Sequence, residues 1–244
     1  MKRRLFAILS AVSLPRKGKD VRRLQIGILL VIGLTPFYLN GLYNPHLVTT
    51  PRLFWAMEIV AWAVLPLALY FAGRRAGLFS AVDLGLHTSV GGSPRPWILP
   101  LALMVAPFVM VWMDSQFVKL ATALSPATYG ASAFRYEDMI PPRGPSTGGY
   151  RLLAIAYLAL TAGLVEGFYY LGMTRLLFRS GWVGAVPFMV ASVVLFAGSH
   201  WEGGTWKLVY ALAWGIAMAV VYAAIRNLWP IAVAHTVVDL TWFW

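Results

Sequence analysis

Four ionisable residues of this 244-residue chain sit where apolar sequence should exclude them. Glu166 lies deep in Ala162-Gly163-Leu164-Val165-Glu166-Gly167-Phe168-Tyr169-Tyr170, and His200 closes Leu195-Phe196-Ala197-Gly198-Ser199-His200. His235 and Asp239 are four apart in Ala234-His235-Thr236-Val237-Val238-Asp239, hence on one helix face. A carboxyl group with imidazoles can activate water and move its proton, so hydrolysis is within reach of this set. The same four are ligand types for zinc or another divalent cation. Plainer readings compete: a protonated Glu166 bonded to a neighbouring helix, an interfacial His200 beside Trp201, and a local His235–Asp239 pair. Ionisable groups inside apolar spans are costly, which makes each a functional candidate.

The elements that must position these residues are membrane helices. Hydrophobic residues make up 59% of the chain and charged residues 12%, against about 25% charged in soluble domains. Mean hydropathy is +0.69. A globule of this size has too much surface to hide so many apolar residues, so the bilayer is the solvent. Apolar stretches able to cross it run about 24–43, 53–73, 97–117, 151–177, 183–200, 206–225 and 228–244. The expected fold is therefore all-α: a polytopic membrane helix bundle of about seven (six to eight) transmembrane helices. Residues 24–244 form one transmembrane domain with its motif-bearing core at about 150–244. The longest loop is expected at about 118–150, with Ile140-Pro141-Pro142-Arg143-Gly144-Pro145 unable to be helix interior.

The net charge of +11 is concentrated early, with eight of the twenty Lys and Arg within the first 23 residues. No A-x-A-like cleavage site follows Leu5–Leu14, so 1–23 reads as a retained basic segment on the membrane surface. Placing the N-terminus in the cytoplasm puts 14 Lys and Arg on that side and 6 on the other, as the positive-inside bias requires. The plasma (inner) membrane of a bacterial cell is the expected location. No basic stripe is interleaved with aromatics, which argues against a nucleic-acid partner. The absence of cysteine removes disulfides, a thiolate nucleophile and Cys-based metal sites.

If 166 and 200 lie on antiparallel neighbours, equal depth requires a turn midway, at 183, and Ser180-Gly181-Trp182-Val183-Gly184 supplies one. Both residues then sit roughly 25 Å from that turn. His235 fits less well, because the connection at Arg226-Asn227-Leu228 is only about eight residues away. Either the sixth helix is tilted or short, or the Asn227 turn is sunk into the protein. Glu58 and Asp114 read as solvated near-interface carboxylates, Glu202 as a residue in water, and His46 and His87 as surface loop residues. Pro230 is expected at a helix start.

Glu166-Gly167-Phe168-Tyr169-Tyr170-Leu171-Gly172 resembles the E-E-x-x-x-R-G motif of the CPBP family, the CAAX proteases and bacteriocin-processing enzymes also called Abi. Phe196 to His200 is similar to its F-x-x-x-H motif, and His235 to Asp239 to its H-x-x-x-N/D motif. Asp83-Leu84-Gly85-Leu86 is also similar to family members. Gly167 stands in place of the second Glu and Leu171 in place of the Arg, so the two charges are lost together.

The resemblance implies an intramembrane endopeptidase acting on a membrane-associated protein or peptide. Glu166 with His200 would activate water, while His235 and Asp239 would bind the oxyanion. An ionised Asp cannot donate a hydrogen bond, so Asp239 is expected to orient His235 instead. No cofactor is expected; a divalent metal such as zinc, held by Glu166, His200, His235 and Asp239, is the chemical alternative. H-E-x-x-H is absent. Two further readings compete: an inactive relative that binds a membrane partner, as in bacteriocin immunity, and an ion-coupled transporter. Against the transporter, the chain carries no inverted repeat.

Overall fold

Seven helices follow one another along the residues described by a computed structural model, which are 18–47, 50–88, 97–126, 139–141, 144, 148–178 and 181–244. They are α1 (Gly18–Leu47), α2 (Pro51–Arg75), α3 (Ile98–Leu124), α4 (Gly148–Leu176), α5 (Trp182–Gly198), α6 (Gly204–Ile225) and α7 (Trp229–Phe243). A 3-10 turn, Trp201–Gly203, joins α5 to α6, and there is no strand among the described residues. Met1–Lys17 of the basic segment lie outside the described residues, as do Gly91-Gly92-Ser93-Pro94, Arg95, Arg135, Pro142, Arg143, Pro145, Arg179 and Ser180.

The helix bundle expected from composition is what the chain forms, and it is an integral membrane protein. Five stretches, Asp20–Asn44, Pro51–Arg75, Ile98–Leu124, Gly148–Leu176 and Trp201–Ile225, are long and apolar enough to cross a membrane. Their outer faces carry exposed Val31, Phe71, Met104, Phe108 and Val220, side chains that only lipid would solvate well. Two of the seven expected crossings are corrected in length. At 1.5 Å per residue α5 covers roughly 26 Å and α7 roughly 22 Å, less than the ~30 Å hydrocarbon core. Both pack on longer helices, α5 on α6, and α7 on α3 and α4. Two loop boundaries also shift. The helix α1 begins at Gly18, inside the segment expected on the surface, and α3 continues to Leu124, shortening the expected 118–150 loop.

The depth problem of His235 is resolved by a sunken turn. Asn227 is fully buried. Its Nδ2 donates to the His87 carbonyl at 2.8 Å, and its Oδ1 accepts from Trp229 N–H at 2.9 Å. The Leu228 N–H donates to the Gly85 carbonyl at 2.9 Å, and Tyr222 Oη donates to the Leu84 carbonyl at 3.1 Å. The segment after α2 thus folds over the α6–α7 turn and supplies the hydrogen-bond partners that a buried turn needs. Gly85 has φ +83°, and a Cβ there would lie 3.0 Å from the Tyr222 ring and 3.1 Å from the Arg226 carbonyl. His87, expected on the surface, is half-buried with Nε2 2.8 Å from that carbonyl. Arg226 itself caps α6 in the left-handed conformation, φ 53°. Pro230 occupies the first turn of α7, as expected.

Glu166 is carried on an unusual stretch. Ala162–Met173 is π-helical, wider than an α-helix, and such turns are rare and concentrate at functional sites. Gly163, Gly167 and Gly172 fall four and five apart and face the first half of α7 and its turn. A Cβ on Gly163 would approach Thr236 Oγ1 to 2.4 Å and the Ala232 carbonyl to 2.5 Å. Small residues at such crossings let membrane helices touch backbone to backbone. Gly163→Ala should therefore lower stability by roughly 1–3 kcal/mol through overpacking. Thermal unfolding in detergent would check it, with Gly149→Ala, which meets nothing within 4 Å, expected to leave the midpoint unchanged.

Candidate active site

The four sequence-selected residues all line one cavity of about 360 Å³. Glu166 comes from the π-helical part of α4, His200 from the end of α5, and His235 and Asp239 from one face of α7. Glu166 is 6% exposed and His235 8%. The His235 Nε2 lies 3.5 Å from Glu166 Oε2 and 3.7 Å from Asp239 Oδ1. One imidazole nitrogen is therefore shared between two carboxyl groups, while Nδ1 is buried without a hydrogen-bond partner. That differs from the usual orienting arrangement, in which a carboxylate holds the nitrogen opposite the working one. The His235 ring stacks on Trp214, centroids 5.8 Å apart and planes 14° apart.

The orientation of His200 is set from behind. Its Nδ1 lies 2.8 Å from the Phe196 carbonyl. A carbonyl only accepts, so Nδ1 carries the proton and Nε2 of the neutral ring keeps its lone pair. Ser199 Oγ donates to the same carbonyl at 2.8 Å and accepts from Tyr170 Oη at 2.7 Å. Tyr170 is four residues from Glu166, so one helix segment supplies the carboxyl group and steadies the histidine turn. His200 makes no direct ion pair with Glu166 among the described residues; the two share the cavity wall.

The missing charge pair of the first motif is replaced by apolar packing. Leu171 is 1% exposed within the main core, and a Cβ on Gly167 would meet the Leu228 side chain at 3.6 Å. Three other carboxylates were misread from sequence. Glu58, expected at the interface, is 1% exposed and lines the cavity from α2. Glu202, expected in water, is half-buried and lines it too. Asp114, also expected to be solvated, is buried and accepts hydrogen bonds from Tyr210 Oη and from Trp214 Nε1, the latter at 3.0 Å. No sequence signal marked Asp114 beyond its charge. Its partners, four apart on α6 as Tyr210 and Trp214, were the available hint. Among the described residues no group of three or more His, Asp and Glu is arranged to hold a metal ion.

Residues 148–241, from α4 into α7, match the family model described as type II CAAX prenyl endopeptidase Rce1-like. This stretch is similar to the CAAX protease family. All four cavity residues chosen from the sequence fall inside the Rce1-like stretch, whereas α1, α2 and α3 lie before it. No curated protein and no solved structure matches the chain.

The Rce1-like stretch leans on those earlier helices. Asp114 of α3 fixes the indole on which His235 stacks, and Tyr38 of α1 donates to the Leu195 carbonyl at 2.8 Å while its own carbonyl accepts from Trp201 Nε1 at 2.9 Å. Asp114→Asn keeps an acceptor oxygen and should fold. Asp114→Leu leaves the Tyr210 hydroxyl and Trp214 N–H buried without an acceptor. It should cost roughly 1–3 kcal/mol for each stranded donor, read as a lower unfolding midpoint in detergent.

Proposed function

We propose that the protein is an intramembrane endopeptidase that hydrolyses a peptide bond in a membrane-associated protein or peptide. One observation carries this reading: the buried Glu166 carboxyl, contacted by His235, faces a cavity that His200 and Asp239 also line, within the stretch that matches the CAAX protease family. Glu166 takes a proton from water, and the water oxygen attacks the scissile carbonyl carbon. The His200 Nε2 lone pair accepts a hydrogen bond from the O–H that the water oxygen keeps, and so aims its attack. His235, held between Glu166 and Asp239, steadies the carboxyl group that receives the proton. When the tetrahedral intermediate collapses, the C–N bond breaks and Glu166 returns its proton to the leaving amine. No step runs through a metal, so chelators should leave the rate unchanged.

Prenylated CAAX tails are the substrate class that the family description names, and they are one candidate for this chain. The excess of Lys and Arg on the N-terminal side supports a cytoplasmic N-terminus, and the membrane proposed is the inner membrane of a bacterial cell. The apolar replacement at Gly167 and Leu171 favours, as a second reading, a relative that binds a membrane partner without cleaving it.

Mass-spectrometric mapping of new peptide termini in host membranes separates the two. A deletion strain would be complemented with wild type or with Glu166→Gln at matched expression. Termini present with wild type and lost in Glu166→Gln are expected, with the rate down by at least about 10²-fold, the contribution of a positioned acid–base group. Identical termini in both, with the wild-type gene rescuing a phenotype, would support the partner-binding reading instead.

A further inference from the structure

The reaction needs a group that stabilises the negative oxygen of the tetrahedral intermediate, and the side chains picked out by sequence are poorly suited to it. An ionised Asp239 or Glu166 only accepts hydrogen bonds. His235 directs Nε2 at those two carboxyl groups, and neutral His200 presents a lone pair. Several donors along the same wall are already engaged. Tyr210 and Trp214 donate to Asp114, Trp206 donates to Thr122 Oγ1 at 3.1 Å, and Ser199 donates to the Phe196 carbonyl.

Lys207 is different. It is the one cationic side chain lining the cavity among the described residues. It stands in the first turn of α6, where side chains lean back toward the helix N-terminus. That lean carries its stem over Gly203, where a Cβ would come within 2.4 Å of Lys207 Cβ and 2.5 Å of Cγ. Its ammonium group lies 5.3 Å from the centre of the Tyr210 ring, a cation–π distance, and Asp114 in turn holds that ring. No carboxylate lies within the 4.0 Å of an ion pair with it among the described residues. A half-buried cation thus lines the same cavity as Glu166, His200, His235 and Asp239, with no ion-pair partner among the described residues.

We infer that Lys207 is a catalytic residue, the electrophile that donates to the oxyanion, and that Gly203 is glycine so that the lysine stem can fold back into the cavity. The inference rests on the endopeptidase reading. As water oxygen bonds to the scissile carbon, the carbonyl electron pair moves onto oxygen, and the Lys207 ammonium donates a hydrogen bond to it without giving up its proton. The pair returns when the C–N bond breaks.

The test uses the full-length protein in phospholipid vesicles and an internally quenched peptide carrying the scissile bond that terminus mapping identifies. Lys207→Met should lower kcat by about 10²–10³-fold, the loss seen when one oxyanion donor is removed, with KM changed little. Lys207→Arg should recover part of the rate, since charge and donors are kept. Gly203→Ala should lower kcat in the same direction while Lys207 is intact. An unchanged unfolding midpoint in detergent for the Lys207 variants, and a cooperative unfolding transition for Gly203→Ala, would show that each variant is folded. If Glu166→Gln abolishes cleavage but Lys207→Met keeps the wild-type kcat, or loses only in KM, the role assigned to Lys207 is wrong and the endopeptidase reading stands. If wild type yields no new termini, both fail.

Discussion

The structure depends on one buried turn. In a bilayer a connection between helices normally reaches water, because its backbone groups have no other partners. Here Asn227 and Leu228 of the α6–α7 connection are buried in protein, and the Gly85 and His87 carbonyls and the Asn227 side chain supply the partners that water would otherwise supply. Everything about α7 follows from this. The helix can be short, it can be enclosed by α3, α4 and α6, and His235, only a turn and a half into it, comes level with the middle of α4. Without the loop over the turn, Asn227 would have to rise to the surface, and His235 and Asp239 would be carried away from Glu166.

The cavity is a joint product of two parts of the chain. The Rce1-like stretch carries Glu166, His200, His235 and Asp239, and the helices before it hold them still. From α3, Asp114 anchors Tyr210 and Trp214 and through the indole the His235 ring. From α1, Tyr38 and the Trp201 indole tie the His200 turn to the bundle at two points. From α2, Glu58 closes the wall, and the loop that follows buries the Asn227 turn. Precise side-chain placement thus comes from helices with no share in the recognised motifs, which is how supporting residues generally act on reacting groups.

Much of this could be read from the sequence, for definite reasons. Hydropathy reports which stretches lipid can solvate, so seven helices and their order were visible. Gly181 is exposed, and counting residues outward from it brought Glu166 and His200 to a common depth; both line the cavity. Counting failed at Asn227 because it assumes every turn lies at the membrane surface, and a sunken turn is decided by a distant loop. Glu58 and Asp114 were misjudged for a related reason: distance from the end of an apolar run says nothing about what a tilted neighbour covers. The π-helical stretch had a trace in Gly163, Gly167 and Gly172, whose spacing of four and then five suits one face only if the helix is widened. Lys207 gave no sign, since a lysine at the start of a helix is ordinary until its direction is known.

The cavity lies away from the Asn227 turn. The cavity walls are drawn from Phe37 and Asn40, from the Ser199–Lys207 turn, and from the far half of α7, all at the end of the bundle away from that turn. On the proposed endopeptidase reading, the attacking water and the peptide to be cut would occupy the same space of about 360 Å³ in front of Glu166. Departure of one peptide fragment would then make room for the next water, so the volume of the cavity sets how much substrate and solvent can meet there at once.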